Sequence, residues 1–355
     1  MRVKLKDITK FSKGTQINGK NLIDDGAYSY LNGGINPSGK WNEFNVAENT
    51  VTISEGGNSS GYVNYMNKAF WCGAHCYYLY DGPKNSKYLY YALKSQQERL
   101  FRIRSGACMP NIKKSDLGNF IIEYEEDETR QEEVVKVLEK CELLVEDYNK
   151  KLALLDEAVR ARFVEMFGDV QDAKKHSNKQ LKDICNTVTG GTPSTKHAEY
   201  YNGTIPWIST VSLGSNYIDG TTAKAFITQE AVDNSSTKII PSGSILFGTR
   251  VGVGKSSINQ VEMCTNQDIV AIIDLDESKY NKLYIKYVLD TYQSYFDSIK
   301  KGATILGISS DDLKNIYIPD ASLYEQNRFE KFVKQIDKSR LLNNHSLFLI
   351  KSIIL

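Results

Sequence analysis

Three groups of residues have types and spacing that could support chemistry, and the first is close to a phosphate-binding loop. Residues 249–256 read Thr-Arg-Val-Gly-Val-Gly-Lys-Ser, which misses the G-x-x-x-x-G-K-S pattern because Gly248 comes one place too early. The residues that follow, Ser257-Ile-Asn-Gln-Val-Glu-Met263, do not predict a helix whose N-terminus could face a phosphate. We interpret the segment as a glycine-rich loop that presents Arg250 and Lys255 to an anionic partner.

The second group is a possible metal site. Cys72-Gly-Ala-His75-Cys76 supplies three potential ligands, and no second pair lies nearby in the sequence. Structural zinc takes four ligands. We therefore predict a strand with buried thiols and no metal site.

The third group imitates the carboxylate-and-lysine set of a metal-dependent nuclease. Asp268 is followed by Glu277-Ser-Lys279, but the acids between them, Asp274 and Asp276, are typical of a polar turn. The Asp-Pro-Pro-Tyr and Asn-Pro-Pro-Tyr motifs of adenine methyltransferases are absent from the sequence. These observations predict a chain without catalytic residues and without a cofactor.

Composition sets the class of protein. The chain has 355 residues, of which 41% are hydrophobic and 25% charged, values typical of a soluble protein with two domains. No apolar run approaches the roughly 20 residues that span a membrane, and the N-terminus has no signal-peptide core. Six scattered cysteines are too few for a disulfide scaffold. We expect a cytoplasmic protein with reduced thiols and no membrane partner.

Charge is distributed unevenly along the chain, although the net charge is only +1. Residues 123–147 contain eleven acidic residues against three basic ones, a local charge of −8, so the rest of the chain carries +9. Acidic runs are usually solvated helix faces. The basic remainder favours an anionic partner.

Two long helices must position everything else. Apolar residues recur at alternating spacings of four and three, the heptad pattern of a helix that buries a narrow seam against another helix. The same frame returns 195 positions later, with Arg340 and Asn343 as polar exceptions. The predicted seam consists of Val134, Leu138, Cys141, Val145, Tyr148, Leu152, Leu155 and Val159 against Phe329, Val333, Ile336, Arg340, Asn343, Leu347, Ile350 and Ile354.

The segments that precede the helices are also duplicated. The repeated phrases, in the same order, are Leu5-Lys-Asp-Ile8 with Leu181-Lys-Asp-Ile184, Gly106-Ala107 with Gly302-Ala303, Asp116-Leu117 with Asp312-Leu313, and Gln131 with Gln326. The offset grows from 176 to 196, so the second copy carries about 20 extra residues, which we expect in loops. Short β-favouring runs interrupted by Gly, Asn and Ser predict mixed α and β structure in each copy.

The fold class that follows is α+β, with two similar globular heads separated by two long helices that pair with each other. The predicted boundaries are head one at 1–125, the first long helix at 126–168, a linker at 169–179, head two at 180–320 and the second long helix at 321–355.

At this point the chain resembles the specificity subunits of type I restriction-modification systems along essentially its whole length. The phrases that carry the resemblance are Gly190-Gly-Thr-Pro-Ser194 followed by Ile205-Pro-Trp-Ile208, Cys264-Thr-Asn-Gln267, Gly302-Ala-Thr-Ile-Leu-Gly-Ile-Ser309, Arg162-Phe-Val-Glu-Met-Phe-Gly-Asp169, and Glu325-Gln326 before the second helix.

The resemblance implies two target recognition domains that each read one half of a split DNA sequence. The two long helices would form an antiparallel coiled coil that holds the domains apart and sets the number of unread base pairs. Methyltransferase subunits would bind the helices and methylate adenine, restriction and translocase subunits would join for cleavage, and this chain itself would be non-catalytic.

Candidate DNA contacts are polar, basic or aromatic residues in loops, because such side chains reach base edges and phosphates. In head one they are Thr15, Gln16, Asn18, Lys20, Asn32, Lys40, Ser54, Asn58, Ser59, Tyr62, Arg102, Arg104 and Lys113. In head two they are Thr192, Ser194, Lys196, Tyr200, Tyr201, Trp207, Arg250, Lys255 and Lys301. Trp207 fits a core position equally well.

Two alternatives from other classes stay open on the sequence. The near-motifs around Lys255 and Glu277 are compatible with a stand-alone NTPase or nuclease that acts on nucleic acid. Paired heads are also compatible with a protein adaptor, whose binding, unlike that of a DNA-binding protein, would not fall steeply with salt.

Overall fold

The computed structural model describes residues 1–106, 108–170, 177 and 179–354, and only the backbone at residue 354. Ala107 of the repeated Gly-Ala dipeptide, residues 171–176 and 178 of the predicted linker, and the side chain of Ile354 lie outside the described residues. The chain divides into two units, one formed by Met1–Lys150 with Asn343–Leu355 and the other by Lys151–Leu342. Both divisions fall inside a long helix.

Short strands rich in Tyr, Val, Thr and Phe build the sheets of the first unit, as their β-favouring composition predicts. They are β1 (Arg2–Lys4), β2 (Lys10–Lys13), β3 (Tyr28–Leu31), β4 (Gly39–Trp41), β5 (Thr50–Ser54), β6 (Val63–Met66), β7 (Phe70–Cys72), β8 (Cys76–Tyr80) and β9 (Ile121–Glu123). One sheet has the order β2-β8-β5-β6, a second has the order β4-β3-β7, and β1 pairs with β9.

Helices of the first unit cover its larger sheet. They are α1 (Leu5–Ile8), α2 (Ser86–Lys94), α3 (Gln97–Arg102) and α4 (Lys114–Gly118), with a 3-10 turn at Gly19–Asn21. Helix α2 begins where the Asn85 side chain accepts a hydrogen bond from the Tyr88 N–H at 2.9 Å. Its Leu89 and Leu93 are buried in one core with Ile53 of β5. That core fixes the helix over the sheet.

The second unit has a larger central sheet. Its strands are β10 (Asn186–Thr189), β11 (Ile205–Ile208), β12 (Tyr217–Ile218), β13 (Ala225–Ile227), β14 (Ile239–Ile240), β15 (Ile245–Gly248), β16 (Ser256–Asn259), β17 (Met263–Thr265) and β18 (Ile269–Ile273). The orders are β10-β18-β15-β16-β12 and β13-β11-β17-β14. Strands β15 and β18 are buried along nearly their whole length, which explains their near-continuous apolar sequence.

The second unit has helices α6 (Gln229–Asp233), α7 (Lys282–Thr291), α8 (Gln293–Ile299) and α9 (Ser310–Lys314), with 3-10 turns at Leu181–Asp183, Ala198–Tyr201, Thr210–Ser212 and Gly220–Thr222. Asn281 caps α7 by accepting from the backbone of Leu283 and Tyr284. Ser309 and Asp312 form a capping box at the start of α9. These caps fix the helix starts next to the sheet.

The repeated phrases of the sequence occupy repeated backbone positions. The Leu5 N–H donates to the Phe120 carbonyl at 2.9 Å, and the Leu181 N–H donates to the Ile316 carbonyl at 3.0 Å. The same donor residue therefore ties the start of each repeat to its end. The duplication extends from sequence to hydrogen bonding.

Two glutamines show the same equivalence. Gln131 and Gln326 are almost fully buried. The Gln131 amide donates to the Glu125 carbonyl at 2.6 Å, and the Gln326 amide donates to the Ala321 carbonyl at 2.9 Å. Each glutamine thus joins the first turn of a long helix to the segment before it.

The two predicted long helices are α5 (Glu128–Phe167) and α10 (Leu323–Ile354). In the second unit their packing is antiparallel, because Phe163 meets Phe329 with ring centroids 5.5 Å apart while Asp156 meets Arg340. Val159 and Val333 are fully buried in the same core. The α+β fold with two sheet-rich units and paired long helices confirms the predicted fold class.

The seam residues follow the predicted frame with one correction. Val134 is 41% exposed, and the neighbouring Val135 is more buried. At this end of α5 the buried or half-buried positions are Gln131, Val135 and Leu138, so Val135 takes the seam position predicted for Val134. Cys141 and Leu347 are buried, as seam positions require.

The polar seam residue Arg340 is paired across the helices. Its guanidinium contacts Asp156 at 2.6 Å and Asp337 at 2.7 Å. Arg340→Leu combined with Asn343→Tyr is expected to raise the thermal midpoint by a few degrees, since the apolar seam gains about 1 kcal/mol over a half-exposed ion pair.

The same double variant is expected to loosen helix register, because a polar seam pair is what fixes alignment. Hydrogen exchange of peptides from α5 and α10 measures this, with faster exchange around residues 336–347 expected despite the higher midpoint. Identical exchange in both proteins would contradict the register role.

Candidate nucleic-acid interface

In both units the loops at one end of the central strands have the same backbone framework. We call this end of each sheet the framework edge. In the first unit the residue after β5, Glu55, receives a hydrogen bond at its carbonyl from the Ile112 N–H and donates its own N–H to the His75 carbonyl, at 2.9 and 2.8 Å. In the second unit Thr249 does the same with Ile308 and Asp268, at 2.8 Å each. Glu55 and Thr249 are therefore equivalent positions.

A tight loop stands beside each of these positions. Ser105 and Asn111 exchange two backbone hydrogen bonds in the first unit, and Lys301 and Gly307 do so in the second. Gly106 and Gly302 follow the first residue of each pair with φ of 97° and 146°. A Cβ on Gly302 would lie 2.1 Å from the Ile305 carbonyl oxygen, so the loop requires glycine there.

Basic residues surround the loop of the first unit. Lys113 and Lys114 line a depression of about 520 Å³ together with Lys13 and Asn111. Arg104 lies close by and donates to the Asn58 carbonyl at 3.3 Å. Of the predicted contacts, the structure brings Lys113, Arg104 and Asn58 towards this edge.

A carboxylate lies within this basic group. Glu55 contacts the Lys13 ammonium at 2.7 Å and the His75 imidazole at 3.3 Å, and only 14% of its side chain is exposed. Burial alone would raise the pKa of Glu55, but hydrogen bonds from Lys13 and His75 outweigh it and hold the pKa below its usual 4.5. The group is an ionised acceptor at neutral pH.

The second unit carries a different set at the same edge. Arg250 contacts Asp268 at 3.8 Å, with 58% of the arginine side chain and 16% of the aspartate side chain exposed. Asn266 donates to the same Asp268 carboxylate at 3.1 Å, and Thr192 donates to Gln267. Lys301 is exposed on the neighbouring loop. Arg250, Lys301 and Thr192 are predicted contacts that lie around this edge.

Fourteen of the predicted DNA contacts are exposed to solvent. They are Thr15, Gln16, Asn18, Lys20, Lys40, Asn58, Arg102, Lys113, Thr192, Ser194, Lys196, Arg250, Lys255 and Lys301. Five are half-buried, namely Asn32, Ser59, Tyr62, Arg104 and Tyr201. Several half-buried ones are already bonded to backbone, as when the Tyr201 hydroxyl donates to the Pro193 carbonyl at 2.7 Å.

Three of the predicted contacts lie in the core and not at the surface. Ser54, Tyr200 and Trp207 are between 2% and 8% exposed. The Ser54 hydroxyl donates to the Gly33 carbonyl, and the Trp207 indole N–H donates to the Gly191 carbonyl at 3.0 Å. Because these polar atoms are satisfied inside the protein, the side chains have no edge to offer a groove.

Sequence reasoning included the segment around Glu55 but did not single out Glu55 itself, and it missed Lys13 and the electrostatic role of His75. Glu55 follows β5 in a Ser-Glu-Gly-Gly turn, a setting that usually marks only a solvated loop. Strand register identifies the group. Lys13 pairs with Tyr77 in the first unit just as Thr189 pairs with Val270 in the second. Only aligned strands show which loops share an edge.

The near-motifs for chemistry do not converge in the described residues. Strand β16 follows the glycine-rich loop, as predicted, so no helix N-terminus faces it. Glu277 pairs with Lys282 at 2.7 Å, and Lys279 pairs with Asp276 at 2.8 Å. These carboxylates and the lysine are taken up in local ion pairs.

The Cys72 and Cys76 thiols are buried, as predicted from the sequence. The Cys72 thiol donates to the Cys76 carbonyl at 3.4 Å. Hydrogen bonding with Cys76 and burial raise the pKa of Cys72 far above its usual value. In the described part of the chain, no cluster of three or more His, Cys, Asp or Glu could hold a metal ion.

None of the described helices combines the length and apolarity needed to cross a membrane.

With this geometry established, comparison with protein families is decisive. A family model described as the type I restriction modification DNA specificity domain matches residues 1–155 and 174–351. The chain belongs to the family of type I restriction-modification specificity subunits. The resemblance inferred from the sequence phrases is thereby confirmed.

Individual members of this specificity-subunit family are moderately similar. The chain is 36% identical over 149 residues to a putative type I specificity subunit of Mycoplasma pneumoniae, across 41% of this chain and 40% of that protein. It is 30% identical over 220 residues to the EcoR124I/EcoR124II specificity subunit of Escherichia coli, across 58% and 52%. In these alignments the chain spans about two fifths to one half of the relatives' own length.

Solved specificity subunits share the fold. A crystal structure of a type I system S subunit from M. genitalium matches 100% of this chain and 93% of its own, with a TM-score of 0.58 at 20% identity. A chain from a study of complex assembly and conformational transition in a type I R-M system matches with a TM-score of 0.56 at 15% identity, over 100% and 95%. At these identities the likeness shows the fold.

Proposed function

We propose that this chain is the DNA-recognition subunit of a type I restriction-modification complex and reads a bipartite, asymmetric target on double-stranded DNA. The observation that carries the proposal is one hydrogen-bonded framework, at Glu55 in the first unit and Thr249 in the second, with different side chains around it. Two loops with the same backbone framework would meet DNA in the same orientation, and their different side chains would select different bases. Two such edges in one chain would read two different half-sites.

The long helices support a spacing role. Helix α5 has 40 residues and is therefore about 60 Å long, more than the 34–36 Å of one turn of duplex DNA. We propose the division of labour expected from the sequence, with heads at 1–125 and 180–320, spacer helices at 126–168 and 321–355, and a linker at 169–179. The helices would set the gap between half-sites and dock the methyltransferase and restriction subunits.

The chemistry would then come from the partners. In this proposal the chain is a non-catalytic scaffold, the methyltransferase subunits modify adenine, and the restriction and translocase subunits cleave. Exposed cations at the framework edges, such as Lys113, Lys255 and Lys301, suit phosphate contacts that position the duplex.

Selection from a random duplex pool, with and without the methyltransferase subunit, tests the proposal. The expected result is enrichment of two different short sequences at a fixed spacing, with an affinity that falls roughly 10³-fold or more between 50 and 200 mM salt. Failure to enrich any bipartite sequence would refute it, and salt-independent binding of a protein would point to an adaptor.

A matched pair of variants sharpens the salt measurement. Lys255→Ala with Lys301→Ala should lower the slope of log affinity against log salt by about two, one for each lost phosphate contact. Lys279→Ala with Lys334→Ala removes two exposed lysines of the same unit that are paired with Asp276 and Glu330. The control variant should keep the original slope.

A further inference from the structure

Both units place a carboxylate and a cation at the same edge, but in opposite positions. In the first unit the acid, Glu55, follows β5, and its cation, Lys13, ends β2, which lies beyond β8 in the sheet. In the second unit the acid is Asp268, before β18, and the cation is Arg250, after β15. The framework hydrogen bonds join the same two segments in each unit. The polarity of the pair is reversed while the backbone stays the same.

The fold does not account for either pair. The same backbone hydrogen bonds, 2.8–2.9 Å long, form in both units although the charges are arranged differently. Neither charge arrangement is therefore needed for the backbone framework to form. Glu55 and Asp268 are only 14% and 16% exposed, so each carboxylate is partly desolvated, and the free-energy cost of that desolvation can exceed the Coulombic gain of the pair. The cations that pair with them, Lys13 and Arg250, are 43% and 58% exposed and lie at the surface.

A nearly buried carboxylate beside an exposed cation matches a cytosine·guanine pair in the major groove. Cytosine presents the N4 amino donor, and guanine presents the O6 and N7 acceptors. A carboxylate accepts from the amino group, and lysine or arginine donates to guanine. The ionised state of Glu55 is maintained by Lys13 and His75, so it can act only as an acceptor at neutral pH.

We propose that Glu55 and Asp268 are specificity-determining residues, each accepting a hydrogen bond from the N4 amino group of a cytosine in one half-site. Lys13 and Arg250 donate to the paired guanine. Because acid and cation exchange positions between the two units, we expect the cytosine and the guanine to exchange strands between the two half-sites. This inference rests on the proposed function, and it names the residues that carry its selectivity.

The test uses the full chain with its methyltransferase subunit, selection from random duplexes, and the isosteric variants Glu55→Gln and Asp268→Asn. Each variant should relax discrimination at one base pair of one half-site by about 5- to 150-fold, because an amide offers a donor where the carboxylate had none. The other half-site and the gap should be unchanged. Circular dichroism and the thermal midpoint verify that each variant is folded.

Asp81→Asn is the matched control. Asp81 pairs with Lys10 at 2.9 Å, at the far end of the same β2–β8 ladder, and both side chains are exposed. This variant should select the wild-type target.

The outcomes separate the two claims. If wild type selects no bipartite sequence, the proposed function and this inference both fall. If wild type selects one and folded Glu55→Gln and Asp268→Asn select the same one, only this inference falls. A relaxed position occupied by adenine·thymine would overturn the cytosine assignment.

Discussion

Phe329→Ala is expected to lower the free energy of unfolding by about 4 kcal/mol, among the largest losses a single side chain in this protein can cause. Phe329 is fully buried in α10. Its ring centroid lies 5.5 Å from that of Phe163, 5.6 Å from Phe167 and 5.2 Å from Tyr287, all edge to face. Alanine removes these contacts and leaves a cavity at the meeting of both long helices and α7.

Phe348→Ala is the matched control, on the same helix and with the same change in side chain. Phe348 is 70% exposed, so its loss should change stability by less than about 0.5 kcal/mol. Urea unfolding followed by circular dichroism measures both variants. Equal losses in the two would contradict the assignment of Phe329 to the shared core.

Gly14→Ala and Gly190→Ala are each expected to destabilise their own unit by more than about 3 kcal/mol. The two glycines hold equivalent positions after β2 and β10, where the Gly14 N–H donates to the Cys76 carbonyl and the Gly190 N–H to that of Ile269. A Cβ would lie 1.9 Å from the Cys72 carbonyl oxygen in the first case and 2.3 Å from that of Asn266 in the second. Backbone oxygens held in a sheet edge cannot move aside.

Hydrogen exchange resolved by peptide is the measurement, because it reports each unit separately. Gly190→Ala should weaken protection of the second unit, and Gly14→Ala that of the first. Gly19→Ala serves as the control, since nothing lies within 4 Å of its Cβ position. Full protection of β10 and β18 in Gly190→Ala would overturn the clash argument.

The close contacts at Gly190 also give a structural role to part of one sequence segment that carried the family resemblance. Gly190-Gly-Thr-Pro-Ser194 looks like a DNA-contacting loop from its composition. In the structure its two glycines allow close backbone approach, and the Gly191 carbonyl accepts from Trp207 at 3.0 Å. Thr192 and Ser194 remain exposed beyond it. Part of the phrase thus builds the edge, and part is free to contact a partner.

Part of the candidate site could be predicted from the sequence. Polar loop composition correctly placed Arg250, Lys301 and Lys113 at the surface, because charged side chains are rarely buried without a partner. It failed for Ser54 and left Trp207 undecided between DNA contact and core, because side chains that can hydrogen-bond a base can equally bond a backbone carbonyl. Burial decides between the two uses, and burial depends on residues distant in sequence.

The sequence by itself determined the duplication, the two long helices and the family. These are local or periodic properties: a heptad repeat fixes a helix face, and the return of Gln131 as Gln326 marks the same helix start twice. Tertiary structure alone decided which side chains share an edge. Glu55 meets Lys13 and His75 because three strands align in register, and Asp268 meets Arg250 for the same reason. Register depends on non-local pairing, which neither composition nor spacing in one sequence encodes.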